Sequence, residues 1–238
     1  MMTYILIAIG AVLVVLLCIG LAIASFAGEN YFRALEEART KRNTCDITTL
    51  EFVNQINEKH FNGKLRLTEC PEHSDHYSGG TVALSRQTMN SNSLASMATI
   101  SHELGHARQD ATGDTLKKHF KLRKSVFIAS LFFMPLTLSA IVIAVLHFVD
   151  VLPETTFLYV AIGCAGLALL IFLFTLFLKY KEIKIEKEAS TFALDYLREY
   201  FTEPEVKICK DFLDSARLTY WAVLFKSMLG WTMLTKKK

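Results

Sequence analysis

Three stretches of this chain, 4–27, 125–149 and 157–178, contain no Asp, Glu, Lys or Arg. Each is long enough to cross the roughly 30 Å hydrocarbon core of a bilayer, which takes about 20 helical residues. The whole chain is 52% hydrophobic and 21% charged. It combines an apolar bulk with an ordinary charge content by segregating the two. All 26 Lys and Arg fall within 28–124 and 179–238. This pattern excludes disorder, collagen-like repeats and an ordinary soluble enzyme, and predicts an integral membrane protein with a modest soluble part. A net charge of +3, without basic residues clustered on one face, points away from nucleic acid. The bilayer is the expected partner.

The first run has no basic residue before it and exceeds the apolar core of a signal peptide, so it reads as a retained anchor. The second and third runs, joined by a link with Asp150, Pro153 and Glu154, read as a transmembrane hairpin. Basic residues flank the runs on one side only: Arg33, Arg39, Lys41 and Arg42 after the first, Lys117 to Lys124 before the second, Lys179 to Lys187 after the third. Positive flanks mark the cytosolic side. The expected arrangement is a multi-pass protein of the cell membrane, with the N-terminus and the 150–154 link outside. The expected organisation is an anchor over 1–27, a first cytosolic part over 28–124, a hairpin over 125–178 and a second cytosolic part over 179–238. Sixty residues alone make a marginal core, so the two cytosolic parts are expected to pack as one domain. Five cysteines without C-x-x-C spacing fit reduced thiols rather than a disulfide framework.

Within the soluble parts, helical spacing of apolar residues covers 29–60, with Asp46 as the expected cap of a second helix. Leu65–Thr68 and Thr81–Ser85 read as short strands, with Ser78-Gly79-Gly80 as a turn between them. Residues 92–111, 181–201 and 204–217 read as helices. The last apolar run, Tyr220 to Leu234, is interrupted by Lys226 and reads as interfacial or packed on the hairpin. The expected fold is mostly α with a small α+β part, split by the hairpin.

His102-Glu103-Leu104-Gly105-His106 has the form H-E-x-x-H. Histidines four apart share one helix face, so both imidazoles can reach one zinc ion, and the glutamate between them can act on a water there. Any of Ser91, Asn92 and Ser93 can cap this helix, and Gly113 can end it. A catalytic zinc takes three protein ligands and leaves one position for water. Glu186 and Glu188 follow the third apolar run. Two crossings between His106 and these residues return the chain to the same side, so either glutamate can serve.

Tyr77, Val82-Ala83-Leu84-Ser85, Ser93-Leu94-Ala95, the H-E-x-x-H segment through Gln109, Glu186-x-Glu188-Ala189-Ser190, Ala193-Leu194 and Leu218-Thr219-Tyr220-x-Ala222 together resemble the YugP-like family of bacterial membrane neutral zinc metallopeptidases. The E-x-x-A motif is also similar to that of the HtpX and CAAX-type proteases. The resemblance implies a zincin-like domain holding one zinc ion per chain through His102, His106 and Glu186, with Glu103 as the general base. It implies a metalloendopeptidase cutting peptides or membrane-protein segments near the bilayer. A zinc-stabilised, non-catalytic membrane scaffold is the alternative; it leaves Glu103 without a task. The segment Val82–Ser85 resembles the edge strand that such enzymes use to hold substrate, against the alternative of an ordinary buried strand. Ser78-Gly79-Gly80 replaces the family's usual Asp-Pro turn. Cys70, His73 and His76 have metal-binding chemistry but no partner cluster, and read as loop residues. Tyr220, Arg108 and Arg217 are candidates for stabilising the transition state.

Overall fold

A helix satisfies all its backbone hydrogen bonds internally, so long apolar segments become long helices. The computed structural model describes residues 2–113 and 115–228. Among them the order is α1 (Met2–Thr40), α2 (Thr49–Phe61), β1 (Arg66–Cys70), β2 (His76–Ser78), β3 (Thr81–Ser85), α3 (Arg86–Met89), α4 (Leu94–Thr112), α5 (Thr115–Phe148), α6 (Thr155–Tyr200) and α7 (Glu203–Met228). The protein is mostly helical with a small sheet. Three helices, α1, α5 and α6, are long and apolar enough to cross a membrane. Each apolar run continues into polar sequence without a break. The runs at 157–178 and 181–201, read separately in the sequence, form one helix of 46 residues. The part of the last apolar run beyond Met228 lies outside the described residues.

The chain divides into two compact units. One comprises the described parts of 1–26, 121–182 and 220–238. Its core includes Leu13, Phe133, Phe172, Leu224 and Phe225. Lys179 and Glu182 form a buried ion pair of 2.9 Å there, and the Lys179 ammonium lies 4.9 Å from the centre of the Tyr220 ring.

The other unit comprises 27–120 and 183–219. Its core is built from Phe52, Ile56, Leu84, Met97, Leu104, Tyr196 and Leu197, all fully or nearly fully buried. The first helix wholly within it, α2, begins at a capping box: Thr48 accepts from the Glu51 amide, and the Glu51 carboxylate accepts from the Thr48 amide at 2.7 Å. The sequence expectation placed this cap at Asp46. Asp46 instead takes a left-handed conformation, φ 51°, and its carboxylate accepts from Asn92. Thr48 holds the cap because T-x-x-E satisfies two orphan amides reciprocally.

The sheet order is β1-β3-β2. β2 and β3 are antiparallel around Gly79-Gly80, both with positive φ, which is the turn geometry that matches strand twist. β1 pairs with β3 in parallel on the other side. This corrects one expectation and decides between two readings. The hairpin partner of Thr81–Ser85 is the short strand His76–Ser78, not Leu65–Thr68. And β3 is the central strand rather than an edge: both of its sides are occupied, and four of its five residues are buried.

Candidate metal centre

Helix α4 carries H-E-x-x-H through the middle of its unit. Ser93 caps it by accepting from the Ser96 amide, and Gly113 ends it. Leu94, Met97, Ala98, Ile100 and Leu104 face the core, which directs His102 and His106 to the side facing α6. The two rings lie 4.7 Å apart.

Gly105 sits between them. A Cβ at this position would run into the carbonyl of Ala189 on α6, so the two helices touch backbone to backbone. Glu186 lies three residues before Ala189, on the same face and one turn away. Its Oε2 stands 3.0 Å from His102 Nε2 and 3.6 Å from His106 Nε2. The E-x-x-A spacing thus has a physical meaning: the alanine permits the contact and the glutamate exploits it. Donor atoms of His102, His106 and Glu186 gather within 4.8 Å of one another. Glu188 does not join them. It accepts from Gln109 Nε2 at 2.8 Å.

The surrounding hydrogen bonds set the imidazole tautomers. His106 Nδ1 donates to Gln109 Oε1 at 2.9 Å, because the Gln109 amide nitrogen is already committed to the Ile185 carbonyl and Glu188. The Ser190 hydroxyl donates to the Glu186 carbonyl and so accepts from His102 Nδ1 at 3.2 Å. With the Nδ1 atoms carrying hydrogen, the neutral imidazoles have their Nε2 lone pairs turned toward Glu186, and protonation places an N–H there instead. Outer partners of this kind orient metal-binding histidines.

Burial by itself would push the Glu186 carboxyl up, but His102, His106 and His119 overcome this and hold it far below the usual carboxylate range. Burial pushes His106 down, and the Glu186 carboxylate beside it reverses the sign, leaving it raised. A buried carboxylate demands positive charge nearby. Two imidazole lone pairs and a carboxylate oxygen form the donor set of a zinc site with an open position. Tetrahedral ligands about 2.0–2.1 Å from zinc stand about 3.3 Å from each other. The 3.0 and 3.6 Å separations bracket that value, so the residues present fit the ion.

Glu103 Oε2 accepts from the backbone amide of Tyr77 on β2 at 2.8 Å. The Tyr77 hydroxyl donates to Asp110 and accepts from the Gly80 amide, each at 2.8 Å. Burial, reinforced by Asp110, pushes that hydroxyl up to about 12. Tyr77 therefore braces Glu103 between β2 and α4. A polar cleft of about 640 Å³ follows the preceding turns of α4, lined by Arg39, Arg42, His73, Asp75, Ser96 and Thr99 among others. Thr99 is one turn before Glu103 on the same helix face.

The other candidates are engaged elsewhere. His76 Nδ1 donates to the Ser74 carbonyl, and Cys70 contacts Asp75. Neither they nor His73 gather into a metal-binding group. Arg108 lies over the Phe192 ring and near Asp195, and Arg217 pairs with Asp214 at 2.9 Å. Tyr220 falls in the other unit. The sequence reading missed His119. It is buried, stacks on His106 with ring centres 5.7 Å apart, and places Nε2 2.9 Å from Glu186 Oε1. Its only sequence signal was an imidazole among lysines, at Lys117-Lys118-His119.

Comparison with curated proteins and with solved structures returned no match. A family model described as "putative neutral zinc metallopeptidase" matches residues 3–235. With H-E-x-x-H and the distant glutamate joined in one donor set, and with the match running over nearly its whole length, the chain belongs to this neutral zinc metallopeptidase family.

Proposed function

We propose that the protein is a membrane-anchored zinc endopeptidase acting on peptides or membrane-protein segments beside the bilayer. One observation carries this reading: Glu186 reaches His102 and His106 although it lies 84 and 80 positions further along the chain, while Glu103 is braced one residue away from His102. His102, His106 and Glu186 would hold the ion. When bound, zinc supplies a Lewis acid that makes water a competent nucleophile near neutral pH and polarises a carbonyl. Glu103 takes the proton of the attacking water and passes it to the leaving amine. Tyr77 aims Glu103 from the outer edge of β2. The three long apolar helices support membrane anchoring, and the one-sided basic flanks support a cytosolic site.

The test is zinc content per chain by elemental analysis, with peptide hydrolysis measured on the same samples. Wild type should hold about one zinc, Glu186→Ala should lose it, and Glu188→Gln should keep it. Zinc without zinc-dependent cleavage of any peptide library would favour the scaffold reading. No zinc in folded wild type would remove the reading altogether.

A further inference from the structure

Glu186 divides its carboxylate. Oε2 faces the two histidines of α4, whereas Oε1 stands 2.9 Å from His119 Nε2. His119 belongs to neither motif. It comes from the first turns of α5, its side chain is 8% exposed, and its ring lies nearly parallel to that of His106, at 11°. The stacking and the burial leave the imidazole little freedom to turn away from Oε1.

This division matters for how a carboxylate holds a metal. With both oxygens available, a glutamate can bind through two atoms. It then occupies the position that a catalytic site keeps for water. With one oxygen tied to a hydrogen-bond donor, it binds through the other alone. We propose that His119 is a positioning residue: its Nε2, 2.9 Å from Glu186 Oε1, engages that oxygen as an ion-pair partner, withdraws it from the metal, and keeps the fourth position open. The inference rests on the zinc site proposed above. It goes beyond that reading by assigning a role to a residue outside both motifs. Two other roles are distinguishable. As a fourth ligand, His119 would close the site and make it structural. As a mere buried contact, it would affect stability but not the metal.

The experiment is zinc X-ray absorption on the full-length chain in detergent, for wild type, His119→Ala and His119→Gln, with zinc affinity measured by chelator competition. Wild type should show two imidazoles in the zinc shell. His119→Ala should show a higher oxygen coordination number and a zinc affinity weaker by about 10–100-fold, the usual effect of removing an outer partner. It should also lower kcat more than it changes KM. His119→Gln keeps an N–H donor at similar reach and should restore most of the wild-type spectrum. Three imidazoles in the wild-type shell would overturn the proposal in favour of a fourth ligand. Identical spectra and affinities in wild type and His119→Ala would reduce His119 to a buried contact. If His119→Ala does not fold, His119→Leu, which fills the space but offers no polar atom to Oε1, takes its place in the comparison with wild type and His119→Gln. A two-imidazole zinc site indifferent to His119 sinks this inference alone, whereas a wild type without zinc sinks the metallopeptidase reading with it.

Discussion

Gly105 on α4 meets the backbone carbonyl of Ala189 on α6 with no room for a side chain between them. That contact sets the distance across which Glu186 reaches the histidines. Gly105→Ala should therefore destabilise the protein by about 1–3 kcal/mol through overpacking and should also weaken zinc binding, because the helices must separate. Gly113→Ala is the control. Nothing lies within 4 Å of a Cβ there and the backbone is extended, so its effect should stay within about 0.5 kcal/mol. Thermal unfolding and chelator competition on both variants would check this. Unchanged zinc affinity in Gly105→Ala would show that the contact does not govern the site.

Gln109 links His106 Nδ1 to Glu188 and to the Ile185 carbonyl. Gln109→Leu should lower zinc affinity by about 10–100-fold while leaving the three donors in place. Glu188→Gln should bind zinc nearly normally, since an amide oxygen can still accept from Gln109. Competition titration against a calibrated chelator separates the two.

Glu103→Gln should retain zinc and lose hydrolysis by at least about 10²–10⁴-fold, the range expected for removing a general base. The amide remains able to accept from the Tyr77 amide, so the local structure should persist. Zinc content and peptide cleavage, measured on one preparation, test the two halves together.

Glu205 accepts from the Thr202 amide at 2.8 Å and from the Thr44 amide at 2.6 Å. Burial raises its pKa, but the Thr202 and Thr44 bonds outweigh burial and leave it lowered. A carboxyl with a depressed folded pKa adds stability above its unfolded pKa of about 4.3. That stability is lost as pH falls through the lower folded value. Glu205→Gln should thus flatten the acid limb of a melting-temperature profile below about pH 5. At neutral pH it should cost about 1–3 kcal/mol. Running both proteins with chelator present keeps metal release out of the comparison.

The sequence shows some parts of this structure more readily than others, for physical reasons. His102, Glu103 and His106 are local: one helix and a spacing of four place them together. Glu186 required more, because its approach depends on a helix contact made by Gly105 and Ala189, and periodicity does not say which helices touch. His119 reaches Glu186 from a third segment, marked in the sequence only by its place beside Lys117 and Lys118. β2 escaped notice because three residues are too few to show alternation. The central position of β3 escaped because strand order is set by tertiary pairing. Thr48 was legible in principle through the T-x-x-E pattern, and Asp46 drew attention only as a common capping type.

His102 and Glu186 lie 84 positions apart, and this separation has a consequence for biogenesis. At about 5–20 residues per second, the histidines emerge from the ribosome roughly 4–17 s before the glutamate. A nascent or truncated chain carries the histidine pair and Glu103 but lacks the third donor. The donor set is complete only after the intervening helices have been made and α6 has docked on α4. Any metal-dependent hydrolysis of the kind proposed above therefore has to wait until α6 has been made.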